Sequence, residues 1–264
     1  MPRQGAADFR GQSGTVRTGF AFTLEHWNLY DASPAWRAVT TGTTQERLAK
    51  MKDPALREAV KRETDNADRK LRAIQAGVGG SVPGLIVQWV NDRPELEKYV
   101  GKSLKQIAEQ EGKHPIDVML DLSIAGELKV EFLGPNKGFN AEFMAEMING
   151  SPYTLPGVSD GGAHTKFFCG GAFTTDFLSW LVRDEQKITL EEAHYRLSAL
   201  PAHAAGFRDR GMLREGAAAD VVVYDLDELA IEPEWVGEIA HDFPGGEWRR
   251  VQRAATARSP STAR

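Results

Sequence analysis

The chain has 264 residues, 41% of them hydrophobic and 26% charged, with a formal net charge of −5. That composition is typical of soluble globular proteins, at a length that suits one large domain or two modest ones. The acidic balance without a basic face argues against nucleic acid as a partner, no run of roughly 18 apolar residues offers a membrane span, and the single cysteine, Cys169, rules out an internal disulfide or a multi-cysteine metal site.

The opening stretch, "MPRQGAADFRGQSG", has no apolar signal-peptide core. Together with the cysteine count this favours a cytoplasmic protein. "TVRTGFAFTL", Thr15 to Leu24, is rich in β-branched and aromatic residues and predicts a strand, followed by an aromatic loop, "EHWNLYDASPAW". A long helical stretch comes next. Thr43 and Glu46 have capping-box spacing, and Asp53-Pro54 restarts a helix with a cap and a first-turn proline. The charges in "REAVKRETDNADRKLRAI" read mostly as solvated helix faces, and "GLIVQWV" is a short apolar run of strand type.

"GKSLKQIAEQEGKHPIDVMLDLSIAG" predicts two helices, with Ser103 and Gln106 as a cap pair, Gly112 as a stop and Pro115 as a start. "LKVEFL" alternates like a strand, and "NAEFMAEMING" is a helix. "YTLPGVSD" then predicts a buried strand ending at Asp160. Helices follow over "TTDFLSWLVRD" and "TLEEAHYRLSAL". The second is opened by Thr189 and Glu192 and has apolar residues at Leu190, Ala193, Leu197 and Leu200. After Pro201, "GMLREGAAADVVVYDLDEL" reads as strand, glycine turn, strand, so Met212 to Asp225 should be antiparallel β-structure. The end, "RAATARSPSTAR", is small, basic and polar, and is expected to be disordered.

Asp160 is the strongest chemical candidate. An acid at the end of an apolar run, followed by Gly161 and Gly162, suits the C-terminal mouth of a β/α barrel. There it could ligate a divalent metal and move the proton of a bound water. The same residues also fit an Asx-turn that closes a strand. His164, four residues on, and His26 beside Trp27 are pocket candidates or local hydrogen-bonding residues. His114 precedes a helix-starting proline and reads as structural, while His194, His203 and His241 have no evident partner in sequence. Cys169 in "FFCGGAF" reads most simply as a small buried hydrophobe, the alternative being a catalytic thiolate for which the neighbouring sequence offers no base. No H-x-H, H-E-x-x-H, G-x-S-x-G or phosphate-binding loop occurs.

Taken in order, "GVSDGGAHTKFFCGGAFTTDFLSWLVRD" and "ITLEEAHYRLSALPAHAAGFRDRGMLREGAAADVVVYD" resemble the C-terminal part of metal-dependent amidohydrolases, in the N-acyl-D-amino-acid deacylase (D-aminoacylase) branch. Asp160 matches the metal-associated aspartate of the last barrel strand. Ser198, Pro201, Ala202 and Gly206 match a helical S-x-x-P-A-x-x-x-G segment with slightly different spacing. Asp209 to Asp225 match the return to a small β-sandwich. The resemblance implies an α/β fold: the C-terminal part of a TIM-like β/α barrel over residues 1–207, with a helical insertion at about 35–150, part of a β-sandwich over 208–252 and a tail over 253–264.

It further implies hydrolysis of a non-peptide C–N bond in a small-molecule amide, with N-acyl-D-amino acids as the leading class. Zinc or another divalent metal serves the intact family enzyme. Asp160 is the implied catalytic residue and metal ligand; His164, Gly161, Gly162 and His26 are the implied substrate contacts. The family's H-x-H and middle-strand ligands have no match here. The expectation is therefore a truncated chain that binds zinc weakly and is inactive alone, with exposed strand edges offering a route to an oligomer. A silent fragment that needs a second chain, and a binding module that keeps the fold remnant, are the other readings at this point.

Overall fold

The computed structural model describes residues 10–13, 17, 20–25, 30, 32–67, 72, 81–134, 139–157, 159, 171–232, 238–242, 244–246, 248–251 and 253–255. The chain divides into two compact units, one of Met1–Thr18 with Gly138–Arg264 and one of Gly19–Lys137. The fold is mixed helix and strand, as an α/β protein requires.

The Gly19–Lys137 unit is built on an antiparallel sheet of β2 (Phe20–Thr23), β4 (Glu131–Gly134) and β3 (Ile86–Trp89), in that spatial order. Phe22 and Val87 both lie opposite Phe132 in the register, so period-two alternation puts one apolar row on the same face. The Phe22 and Phe132 rings are 6.0 Å apart, and a bulge between Val87 and Trp89 ends the row.

Helices α1 (Pro34–Thr40), α2 (Thr44–Lys52), α3 (Pro54–Asp65), α4 (Leu104–Glu111) and α5 (Pro115–Ala125) belong to the same unit. The Thr43/Glu46 and Ser103/Gln106 capping boxes both form in full, and Gly112 ends α4 in the left-handed conformation. Trp36, Met51, Leu104, Ile107, Ile116 and Met119 are fully buried. Each such side chain contributes about 1.5–3 kcal/mol of hydrophobic stabilisation. Trp36 stacks on Tyr30 at 4.7 Å, and its Nε1–H donates to Thr64 Oγ1 at 3.2 Å, so no buried donor is lost there.

Not all charges of the "REAVKRETD" face are simply solvated. Arg57 bridges Asp117 and Asp121 at 3.2 and 2.7 Å, and Lys61 reaches Asp117 at 3.2 Å, which ties α3 to α5.

In the other unit, β1 (Gly11–Ser13) runs parallel to β5 (Thr154–Pro156), with Gln12 opposite Leu155. α6 (Ala141–Asn149) precedes β5. α7 (Phe173–Asp176) runs on as a π-helix over Phe177–Asp184, closed by Glu185 N–H donating five residues back to Trp180 O. α8 (Leu190–His194) likewise continues as a π-helix over Tyr195–Ala199 into α9 (Leu200–Ala204). Ala141, Met144, Ile148, Phe177, Trp180, Leu181, Ala193 and Leu229 form the shared core. Antiparallel pairs β6 (Ala230–Glu232) with β9 (Arg253–Ala255), and β7 (Glu238–Ala240) with β8 (Arg249–Val251), complete it.

Three expectations change here. Within Thr15 to Leu24 the described strand is β2, with Arg17 and Leu24 outside it and Thr15, Val16, Thr18 and Gly19 outside the described residues; the parallel neighbour of β5 is "GQS", three residues too short and too polar to show alternation. Met212 to Asp225 is neither helix nor strand, because a strand exists only by hydrogen bonding to a partner. None of Val221 to Val223 makes a backbone hydrogen bond among the described residues. Arg253–Ala255, expected in the tail, is instead a strand paired with β6, and residues 256–264 lie outside the described residues.

Candidate functional site

At the C-terminal end of the β1–β5 pair, Gly157 N–H donates to Ser13 O at 2.9 Å and turns the chain away from the sheet. Gly157 has φ of +109°, and a Cβ there would lie 2.3 Å from the Phe173 ring. Only glycine fits both the backbone and the aromatic face packed on it. Beyond the turn is a cavity of about 430 Å³, with Gln12, Ser159, Phe173 and Arg196 among its lining residues. That volume is within the range of small-molecule pockets.

Arg196 is the buried charge of this site, its side chain only 6% exposed. Nε donates to Glu192 Oε1 at 2.6 Å, and Nη1 donates to the carbonyls of Ser151 and Thr154 at 2.9 and 3.1 Å. One guanidinium thus pins the π-helical segment to the start of β5 and satisfies two carbonyls at once. Because Glu192 is used by Arg196, the Thr189 cap forms only its half in which Thr189 Oγ1 accepts from Glu192 N–H.

A second buried charge lies on α7. Asp176 is 0% exposed and receives Arg17 N–H on Oδ2 at 2.8 Å, and Arg17 Nε and Nη2 on Oδ1 at 3.1 and 2.9 Å. The Arg17 guanidinium also lies 4.8 Å from the centre of the Trp180 ring. Burial pushes the Asp176 carboxyl above its usual range, and the Arg17 contacts pull against that shift.

Asp160, Gly161, Gly162, His164, His26 and Cys169 lie outside the described residues. Ser159, which lines the cavity, immediately precedes Asp160 in the chain. His114 is structural as expected: Nδ1 caps α5 by accepting from Ile116 N–H at 3.2 Å, and Nε2 lies 3.3 Å from Asp65. His194 does have a partner, Tyr224 Oη, at 2.7 Å from Nε2. Among the described residues no three His, Cys, Asp or Glu side chains converge as a metal cage. No helix among them is long and apolar enough to cross a membrane.

Arg196 and Asp176 were missed in the sequence, yet both left a signal. Arg196 falls three residues after Ala193 and four before Leu200, on the apolar face of its helix, and Asp176 interrupts the apolar run "FTTDFLSW".

Comparison with known proteins gives a coherent result. A model of the amidohydrolase family matches residues 12–240. The N-acyl-D-glutamate deacylase of Alcaligenes xylosoxydans xylosoxydans is 32% identical over 149 residues, 56% of this chain and 28% of that protein. The D-aminoacylase of the same organism is 30% identical over 147 residues, 55% of this chain and 28% of that one. A crystal structure of N-acyl-D-glutamate deacylase from Bordetella bronchiseptica, with zinc and a phosphonate inhibitor, is 29% identical, covers 55% of this chain and 29% of that one, and has a TM-score of 0.37. The chain thus spans under a third of the length of these relatives. With the family model matched across most of its length, this chain belongs to the amidohydrolase family.

Proposed function

We propose that the chain serves hydrolysis of the amide bond of N-acyl-D-amino acids, with Asp160 as its acid–base residue and the cavity beyond β5 on the substrate side. The carrying observation is that Ser159, one residue before Asp160, lines that cavity at the C-terminal end of a parallel strand pair. Ends of parallel strands are where β/α barrels hold their chemistry, and we take residues 1–207 as the barrel portion, 208–252 as a sandwich portion. The named activities of the relatives supply the substrate class. Asp160, as a carboxylate, accepts a proton from the attacking water and returns it to the leaving nitrogen. Gly161 and Gly162 let backbone approach the substrate closely, and His164 and His26 are further pocket residues.

Zinc, present in the Bordetella structure, does not fit the described residues, which hold no cluster of ligands. The six histidines of the sequence include no H-x-H, and one carboxylate falls short of the three protein ligands of a catalytic zinc site. This chain alone is therefore expected to bind zinc substoichiometrically and turn over near background. Metal analysis after dialysis, with an assay on N-acetyl-D-amino acids, tests that; stoichiometric zinc with turnover would refute it. A chimera in which this chain's matching stretch replaces that of D-aminoacylase tests the residue. Asp160→Asn should lower its kcat by roughly 10²–10⁴; an unaffected rate removes Asp160 from the chemistry.

A further inference from the structure

We infer that the cavity beyond β5 is a carboxylate site, with Arg196 Nη2 as the donor that receives the ligand. A guanidinium carries five N–H donors. Nε donates its one to Glu192, and Nη1 donates to the carbonyls of Ser151 and Thr154. The two N–H groups of Nη2 make no hydrogen bond among the described residues. Leaving a charged donor unsatisfied on a side chain only 6% exposed is costly. Nη2 is not among the fully enclosed polar atoms, and the space that Arg196 lines is this cavity.

The other walls select the ligand. Arg196 carries the only charge among the described lining residues, so no Asp or Glu among them stands in the cavity to take Nη2. Leu155 and Pro156 on the strand side, and Phe173, Leu197 and Pro201 on the helical side, are apolar. Gln12 adds a neutral amide whose side chain is likewise unbonded among the described residues. A planar carboxylate on a small apolar body fits such a lining, because its two oxygens accept guanidinium N–H groups while its body meets apolar walls. Glu192 already balances the guanidinium charge, so a small ligand should bind with a dissociation constant on the order of millimolar. The ligand's identity rests on the amide-hydrolysis reading, in which the carboxylate is that of the N-acyl-D-amino acid; the site itself does not.

NMR titration of the isotope-labelled 264-residue chain with propionate, N-acetyl-D-alanine and N-acetyl-D-alaninamide tests this. Both carboxylates should move the Arg196 Nε–H signal, identified by its absence in Arg196→Lys, and the backbone signals of Gln12 and Leu197; the carboxamide should not. Gln12→Glu and Gln12→Lys then change the local charge at an exposed strand residue that makes no bond to Arg196. A unit charge about 12 Å away, at an effective dielectric of about 20, alters affinity roughly tenfold. The first substitution should weaken carboxylate binding by that factor and the second strengthen it, at unchanged melting temperature. Silent Arg196 and cavity signals, an equal response to the carboxamide, or binding indifferent to the charge placed at Gln12 would each overturn the site. If propionate behaves as expected and N-acetyl-D-alanine does not bind, the site stands and the amide-hydrolysis reading loses its substrate. If N-acetyl-D-alanine binds while Arg196 stays silent, the site falls and that reading survives.

Discussion

Arg17 grips the fully buried carboxylate of Asp176 through its backbone N–H and two guanidinium nitrogens, across 159 residues of sequence. Burial outweighs this grip, so the folded protein holds the Asp176 proton more tightly than the unfolded chain. The sign follows. A raised carboxyl binds more protons in the folded state above the usual pKa, so its contribution to stability is greatest below that value and declines as pH rises through the folded one. Arg17→Met removes the counter-charge and should raise the carboxyl further. It should cost about 3 kcal/mol at pH 7 by urea unfolding, and clearly less near pH 4. Equal loss at both values would mean that Asp176 is not the group responsible.

The glycine turn before the cavity admits no side chain. Gly157→Ala must place a methyl group against Phe173 with φ held positive, and should cost on the order of 2–4 kcal/mol. Adding Phe173→Leu should recover part of that loss, because it relieves the contact but not the backbone conformation. Thermal melts of the single and double variants check this.

Arg196→Lys keeps the charge but loses the fork. A lysine cannot span Glu192 and the carbonyls of Ser151 and Thr154 with the same geometry. The expected loss is about 2 kcal/mol, with amide exchange faster over β5 and over residues 195–199 than elsewhere. Uniform exchange across the unit would argue against a local clamp.

Thr43→Ala removes the acceptor for Glu46 N–H at the start of α2 and should cost about 1 kcal/mol at neutral pH. The Glu46 carboxylate accepts in return from Thr43 N–H and Oγ1, and these bonds hold it below its usual range. A lowered carboxyl stabilises the fold above its unfolded pKa and loses that contribution as pH falls through the folded one. The effect of Thr43→Ala should therefore shrink at pH 3, which urea titrations at the two values would show.

Local rules made much of the Gly19–Lys137 unit legible in the sequence. The caps at Thr43, Asp53 and Ser103 sit where spacing put them, Pro115 starts its helix as read, and "LKVEFL" became the central strand of its sheet. What escaped was non-local. "GQS" has no strand signature and is a strand only because β5 lies beside it. "ADVVVYD" has every strand signature and pairs with no strand among the described residues. Propensity acts residue by residue, whereas a strand needs a partner, and nothing within a short window reports one. The buried ion pair of Arg17 with Asp176 is hidden for the same reason.

The register of β2 on β4 puts Phe20 directly opposite Gly134. More than a hundred residues apart in sequence, Phe20 and Gly134 are thus held as one cross-strand pair, on the order of 5 Å apart. A segment whose Phe20 and Gly134 stand side by side has the ends that grafting into a turn of similar span requires.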